Sequence, residues 1–244
     1  MFLLNSLLAC LILALIMPYL GQRVLQRRVV FVDLALAQIA ATGYTLGLAT
    51  DSSGMLWAAM VTVIAIALFA AIPHASRLPK EAVMGAIYVV AAAAGMVILS
   101  HLPHAEGHMS DLMFGSLLGT GTQDLLILLG GSVLAVVLFR FTSDDSYIQR
   151  LLFYLGLAVA VVPAIHVVGI VLVFGMLLLP ALAVWRREDN GPLWQAGLVA
   201  LLGAVAGIFS AEYLDLPPSS SVVVALFLCG LPVFMWKNAV KGDA

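Results

Sequence analysis

Apolar runs of about twenty residues recur along this chain from end to end, and a short polar or charged break parts each run from the next. A run of that length is what an α-helix needs to cross a hydrocarbon layer of about 30 Å, whereas a membrane barrel would show alternating strands of about ten residues. Soluble domains are roughly half apolar; this chain is 63% hydrophobic and 10% charged, with a mean hydropathy of +1.12. The pattern predicts an all-α polytopic membrane protein with a single transmembrane domain over residues 1–244. Nine runs stand out, about 2–20, 29–50, 55–73, 83–100, 123–141, 150–164, 166–185, 193–211 and 219–236. Only "PAIH", around Pro163 and His166, parts the sixth from the seventh, so the alternative is one broken unit and eight spans. The run "LMFGSLLGTG" (112–121) is too short to cross and is expected as a half-helix or re-entrant piece buried in protein. The first run has no basic segment ahead of it and its arginines behind it, so it reads as a spanning helix and not as a cleaved leader.

Placed on this nine-span map, all 11 Lys and Arg fall on one side: Arg23, Arg27, Arg28, Arg77, Lys80, Arg140, Arg150, Arg186, Arg187, Lys237 and Lys241. Cytoplasmic loops carry the cationic excess, so the N-terminus is expected outside and the C-terminus in the cytoplasm. The opposite face carries Asp51, His101, His104, Glu106, His108, Asp111, Asp124, Glu212 and Asp215 and no cation. Such a face is either a mouth that attracts cations or simply what remains once Lys and Arg are excluded. A net charge of -2 and no basic cluster above three residues argue against nucleic-acid binding. Cys10 and Cys229 lie in apolar segments with no zinc or redox spacing and read as small buried hydrophobes. The loops are short and no G-x-x-x-x-G-K-[ST] phosphate loop is present, so the chain is not expected to be an enzyme. Any ATP hydrolysis would belong to a separate polypeptide.

Four segments, in order, carry a resemblance. They are "SRLPKEAVMGAIYVVAAAAGMVILS" (76–100), "LMFGSLLGTGTQDLLIL" (112–128) with its LFG-x-L-L element, "HVVGIVLVFGMLLLPALAV" (166–184), and "SAEYLDLPPSSSVVVALFL" (210–228). Together they resemble the permease subunit of the zinc/manganese/iron ABC transporter family. The resemblance implies a homodimeric helical importer permease in the bacterial cytoplasmic membrane, a separate ABC ATPase at its cytoplasmic face and an external metal-binding protein. It implies a divalent metal as transported substrate and no permanently bound cofactor. Lys80, Glu81, Asp144, Asp145 and Tyr147 then stand where an ATPase would couple, although "RFTSDDSYIQR" (140–150) is shorter than the family's usual segment.

The family usually opens its second helix with F-G-D-A-x-x-H-A, whose Asp and His share a helix face and can both reach a metal. Here the stretch is "FVDLALAQIAATG". Matching Asp33 to the Asp leaves Ala37 at the His; matching on Gly43 puts Gln38 at the His and Leu34 at the Asp. Gln38 is a neutral oxygen donor and a poor ligand for zinc, better suited to harder cations such as manganese or magnesium. Asp33 is a pathway ligand on one reading, and on the other a helix N-terminal charge or a partner of Arg27 or Arg28. Ser116 stands where LFG is commonly followed by Asp. His166, expected at the start of the V-V-G helix, is either a pathway ligand or gate, or a neutral histidine bonded to backbone.

The stretch "SHLPHAEGHMSD" (100–111) holds three of the 5 histidines. His101, His104 and His108, with Glu106 near, would share one face of a helix and suit zinc or another borderline metal. Pro103 and Gly107 oppose a continuous helix, which leaves either a converging metal loop or a polar loop. The leading expectation is the permease of an ABC importer for divalent transition metals (Zn, Mn or Fe), working by alternating access. The alternatives are an ATP-independent secondary transporter or channel, and a non-transporting membrane scaffold.

Overall fold

The computed structural model describes residues 2–72, 80–102, 115, 117–142, 146–185 and 191–239. These residues form nine α-helices and no strand. The helices are α1 (Phe2–Gln26), α2 (Phe31–Ala49), α3 (Gly54–Ala71), α4 (Lys80–Leu99), α5 (Thr122–Arg140), α6 (Tyr147–Val168), α7 (Ile170–Val184), α8 (Leu193–Leu214) and α9 (Pro218–Ala239). A 3-10 turn at Leu117–Gly119 precedes α5 and is the described part of the segment expected as a re-entrant piece. Eight of the nine helices are long and apolar enough to cross a membrane, and α7 is shorter at 15 residues.

Two boundaries depart from expectation for physical reasons. Helix α1 runs on to Gln26, well past residue 20, because its added turns are amphipathic: the Arg23 guanidinium lies 5.5 Å from the Tyr19 ring centroid and donates to the Tyr19 hydroxyl at 3.3 Å. The break between the sixth and seventh helices falls at Gly169 and not at "PAIH", so Pro163 and His166 both lie inside α6. A proline removes one ladder bond and can be carried within a packed membrane helix. The φ of 82° at Gly169 cannot be carried within a right-handed helix at all, and it is a conformation that suits glycine.

Contacts divide the chain into two compact units. The first comprises residues 1–27, 114–129 and 166–244. Within it α1 packs on α7 and α8, and α9 packs on α7 and α8. Close approach depends on small residues: a Cβ on Gly207 would collide with Val222 backbone, and one on Gly203 with Leu226. The two ends of this unit differ. At one end the start of α1 meets residues 117–120, and Ser219 at the start of α9 meets Val168. At the other, Gln22 donates to the Gly191 carbonyl at 3.4 Å. Arg23 and Arg27 stand at the Gln22 end, while Asp124 is near the Leu117–Thr120 end.

The second unit comprises residues 28–113 and 130–165. Here α2 packs on both α3 and α4. The α2–α3 pair is antiparallel, since Gly43 faces Ala58 and Gly47 faces Gly54. Thr42 on α2 donates to the Ala91 carbonyl on α4 at 2.8 Å. An aromatic cluster joins the remaining helices: Phe69 of α3 packs edge-on against Tyr154 of α6, and Phe139 of α5 sits 5.0 Å from Phe153. Beside it the Arg150 guanidinium donates to the Ala70 carbonyl at 2.9 Å. Arg28, Arg140 and Arg150 belong to this end, and Asp51 to the opposite one. Each unit therefore sorts these cations to one end.

Gly43 and Gly85 give a test of this packing. A Cβ on Gly43 would come within 2.8 Å of the Ala58 Cα, whereas one on Gly85 would meet nothing within 4 Å. Gly43→Val is expected to destabilise the fold by ~1–3 kcal/mol, and Gly85→Ala to leave it unchanged or stabilise it by up to ~1 kcal/mol. Thermal unfolding of the purified variants checks this ordering.

Candidate functional site

At the acid-bearing end of the first unit, side chains of one helix satisfy the backbone of another segment. The Asn5 amide donates to the Thr120 carbonyl at 3.0 Å, and the Ser6 hydroxyl to the Leu117 carbonyl at 2.8 Å. The Leu117 carbonyl also accepts from the Thr120 hydroxyl at 2.8 Å. Asp124, in the first turn of α5, accepts the Gly121 N–H at 2.9 Å, a capping contact that suits a carboxylate at a helix N-terminus. His166, exposed in the last turn of α6, lies within the electrostatic reach of that carboxylate.

The α8–α9 turn stands at the same end. Asp215 closes α8 in the left-handed conformation, with φ of 53°, and the Leu216 N–H returns to the Ala211 carbonyl at 2.9 Å. A cavity of about 170 Å³ opens here, lined by Ser6, Ile208, Ala211, Glu212, Asp215, Leu216 and Pro218. Two carboxylates at a polar opening can attract cations from solution.

In the second unit Asp33 lies in the first turn of α2 and is 1% exposed. Its Oδ1 has no hydrogen-bond partner among the described residues. A carboxylate buried in this way is costly unless something else compensates it. Gln38, 7% exposed, is five residues further on, about 140° round the helix from Asp33. These two side chains do not share the single face that an i, i+4 Asp/His pair would occupy. His101 follows α4 and is exposed; its Nδ1 lies 2.8 Å from the Val97 carbonyl at the end of its own helix. His104, Glu106, His108, Ser116, Asp144 and Asp145 lie outside the described residues. Glu81 is exposed in the first turn of α4, which Lys80 begins, and Tyr147, 47% exposed, begins α6. Among the described residues no group of three His, Cys, Asp or Glu is placed to hold a metal ion.

Sequence reasoning singled out Asp33 and Gln38 from a motif but did not anticipate the polar ties of Asn5, Ser6 and Ser219. A signal was available: each is a short polar residue at the start of an apolar run. It also passed over the buried hydroxyls of Thr62 and Ser132, which have no partner among the described residues and carry no motif.

Comparison with known proteins agrees with this arrangement. The pattern of the ABC 3 transport family matches residues 1–149 and 143–237. The manganese transport system membrane protein MntC of Halalkalibacterium halodurans is 24% identical, over 94% of this chain and 86% of its own. The chelated iron transport system membrane protein YfeC of Yersinia pestis is 26% identical, over 80% of this chain and 71% of its own. The fold is similar to that of PsaBC from Streptococcus pneumoniae, solved in complex with Fab, with a TM-score of 0.76 at 18% identity over 96% of this chain and 91% of that one. With its apolar spanning helices, the protein is an integral protein of the bacterial cytoplasmic membrane, and the chain belongs to the ABC 3 transport family.

Proposed function

We propose that this chain is the permease subunit of an ABC importer for a divalent transition metal, and that it forms the translocation pathway as a homodimer. The observation that carries this reading is the family match along nearly the whole chain, with relatives named for manganese and chelated-iron transport. The sorting of cations supports an orientation with the Arg23, Arg28 and Arg150 ends in the cytoplasm and the Asp124 and Asp215 end outside. Metal would arrive from an external binding protein at the acidic end, where Glu212 and Asp215 line a cavity. The loop bearing His101, His104, Glu106 and His108 would hand metal over at that face.

Within the pathway, Asp33, Gln38, Ser116 and His166 are the candidate contacts. An oxygen-donor α2, with Gln38 in place of histidine, favours a harder cation such as manganese over zinc. On the cytoplasmic side a separate ABC ATPase would engage Lys80, Glu81, Asp144, Asp145 and Tyr147. Its ATP-driven closure would move these segments, and alternating access would follow. The permease itself performs no chemistry on the metal.

Two measurements test this reading. The chain is expected to co-purify with an ABC ATPase whose hydrolysis rises when metal-loaded binding protein is added; an ATPase indifferent to the loaded protein would count against coupling. Asp33→Asn neutralises a buried carboxyl whose Oδ1 has no partner among the described residues. It is expected to leave thermal stability unchanged or higher and to lower metal uptake at least ~10-fold, since unpaired buried charges persist mainly where function needs them. A stability loss with uptake intact would make Asp33 a structural residue.

A further inference from the structure

Among the described residues, buried hydroxyls follow one rule with two exceptions. Ser6, Thr45, Thr120, Thr142, Ser219 and Ser221 each donate to a backbone carbonyl. Thr62 Oγ1 and Ser132 Oγ are buried and have no partner among the described residues. Ser132 is fully buried, at 0% exposure, in the middle of α5.

Its surroundings explain why it matters. Ser132 ends the Gly-Gly-Ser step of "LLGGSVL" (128–134), and glycine pairs are among the few causes of a sharp bend in a helix. On α6, Pro163 has no N–H, so the carbonyl of Val159, four residues earlier, lacks its helical donor. The structure brings these two weak points together. A Cβ on Gly131 would lie 2.6 Å from the Val159 oxygen and 3.6 Å from Pro163 Cγ. The α5 backbone is thus pressed onto the carbonyl that Pro163 cannot serve. One residue away stands a buried hydroxyl with no acceptor. The later segment of the second unit runs from Gly130 in α5 to Ile165 in α6.

We propose that Gly130–Gly131–Ser132 and Val159–Pro163 form a paired hinge at which α5 and α6 bend together, and that the bent form is held by a hydrogen bond from the Ser132 hydroxyl to the Val159 carbonyl. In the conformation described here the Ser132 hydroxyl has no partner among the described residues, and the adjoining Gly131 lies against the Val159 carbonyl, so a bend that brings hydroxyl and carbonyl together gains a hydrogen bond. In a medium without water, such a bond has no solvent competitor. The hinge concerns helix mechanics and does not depend on which substrate the protein carries.

Hydrogen–deuterium exchange of the purified full-length protein tests the hinge without reference to transport. Bending exposes the amides just beyond the proline, residues 164–168. Ser132→Ala removes the bond that holds the bent form and is expected to slow their exchange about tenfold, equivalent to ~1.4 kcal/mol. Pro163→Ala gives Val159 its own helical donor; exchange should slow there too, and Ser132→Ala should then have no further effect. That non-additivity is the signature of one shared hydrogen bond. If Ser132 were only an uncomfortable buried hydroxyl, its removal would act equally in both backgrounds. An equal effect in the two backgrounds, or none in the wild type, would overturn the proposal.

Discussion

Hydrocarbon offers no hydrogen-bond partner to a peptide group, and each backbone N–H or C=O left bare there costs several kcal/mol. The nine helices answer this constraint along their lengths, and the interruptions show where it bites. At Gly169, where the chain leaves the helix, the Val168 carbonyl takes the Ser219 hydroxyl from α9. The 3-10 turn before α5 is served by Asn5 and Ser6 of α1. The end of α3 is served by Arg150 of α6. The few polar side chains of this chain are placed largely to complete its backbone, and that economy makes the exceptions informative.

Those exceptions are Asp33, Thr62, Ser132 and Gln195, each with a buried oxygen that has no partner among the described residues. Asp33 lies in the first turn of α2, and its cost is understandable if a cation compensates it. Ser132 sits against a proline-freed carbonyl, and its cost is understandable if the helix bends. On these proposals Asp33 concerns what the protein binds and Ser132 how it moves, and both costs persist because the medium gives water no chance to repair them.

Most of the fold was legible in the sequence because the bilayer makes it one-dimensional: a run of twenty apolar residues has essentially one use. All nine expected runs correspond to helices, and among the described residues Arg23 and Arg27 in one unit, and Arg28, Arg140 and Arg150 in the other, stand at one end of their unit. The errors came from local chemistry. The break assigned to Pro163 fell at Gly169, because a packed helix tolerates a missing donor better than a left-handed φ. Residue 20 did not end α1, because Tyr19 and Arg23 let the helix continue amphipathically. The site was less legible than the fold. A motif on α2 suggested that Asp33 and Gln38 matter, and their spacing already sets them about 140° apart, but it did not show that both would be buried. Nothing in "LLGGSVL" shows that it will meet "VVPAIH" in space.

The central claim is that this chain forms a pathway for metal that is driven by a separate ATPase. Uptake of radioactive manganese into proteoliposomes tests it most directly, with the chain reconstituted alone and with its ATPase, ATP and loaded binding protein. The account predicts uptake only in the complete system, and its loss when ATP is withheld. Sustained metal uptake by the chain alone, independent of ATP, would contradict it and point to a secondary transporter or channel.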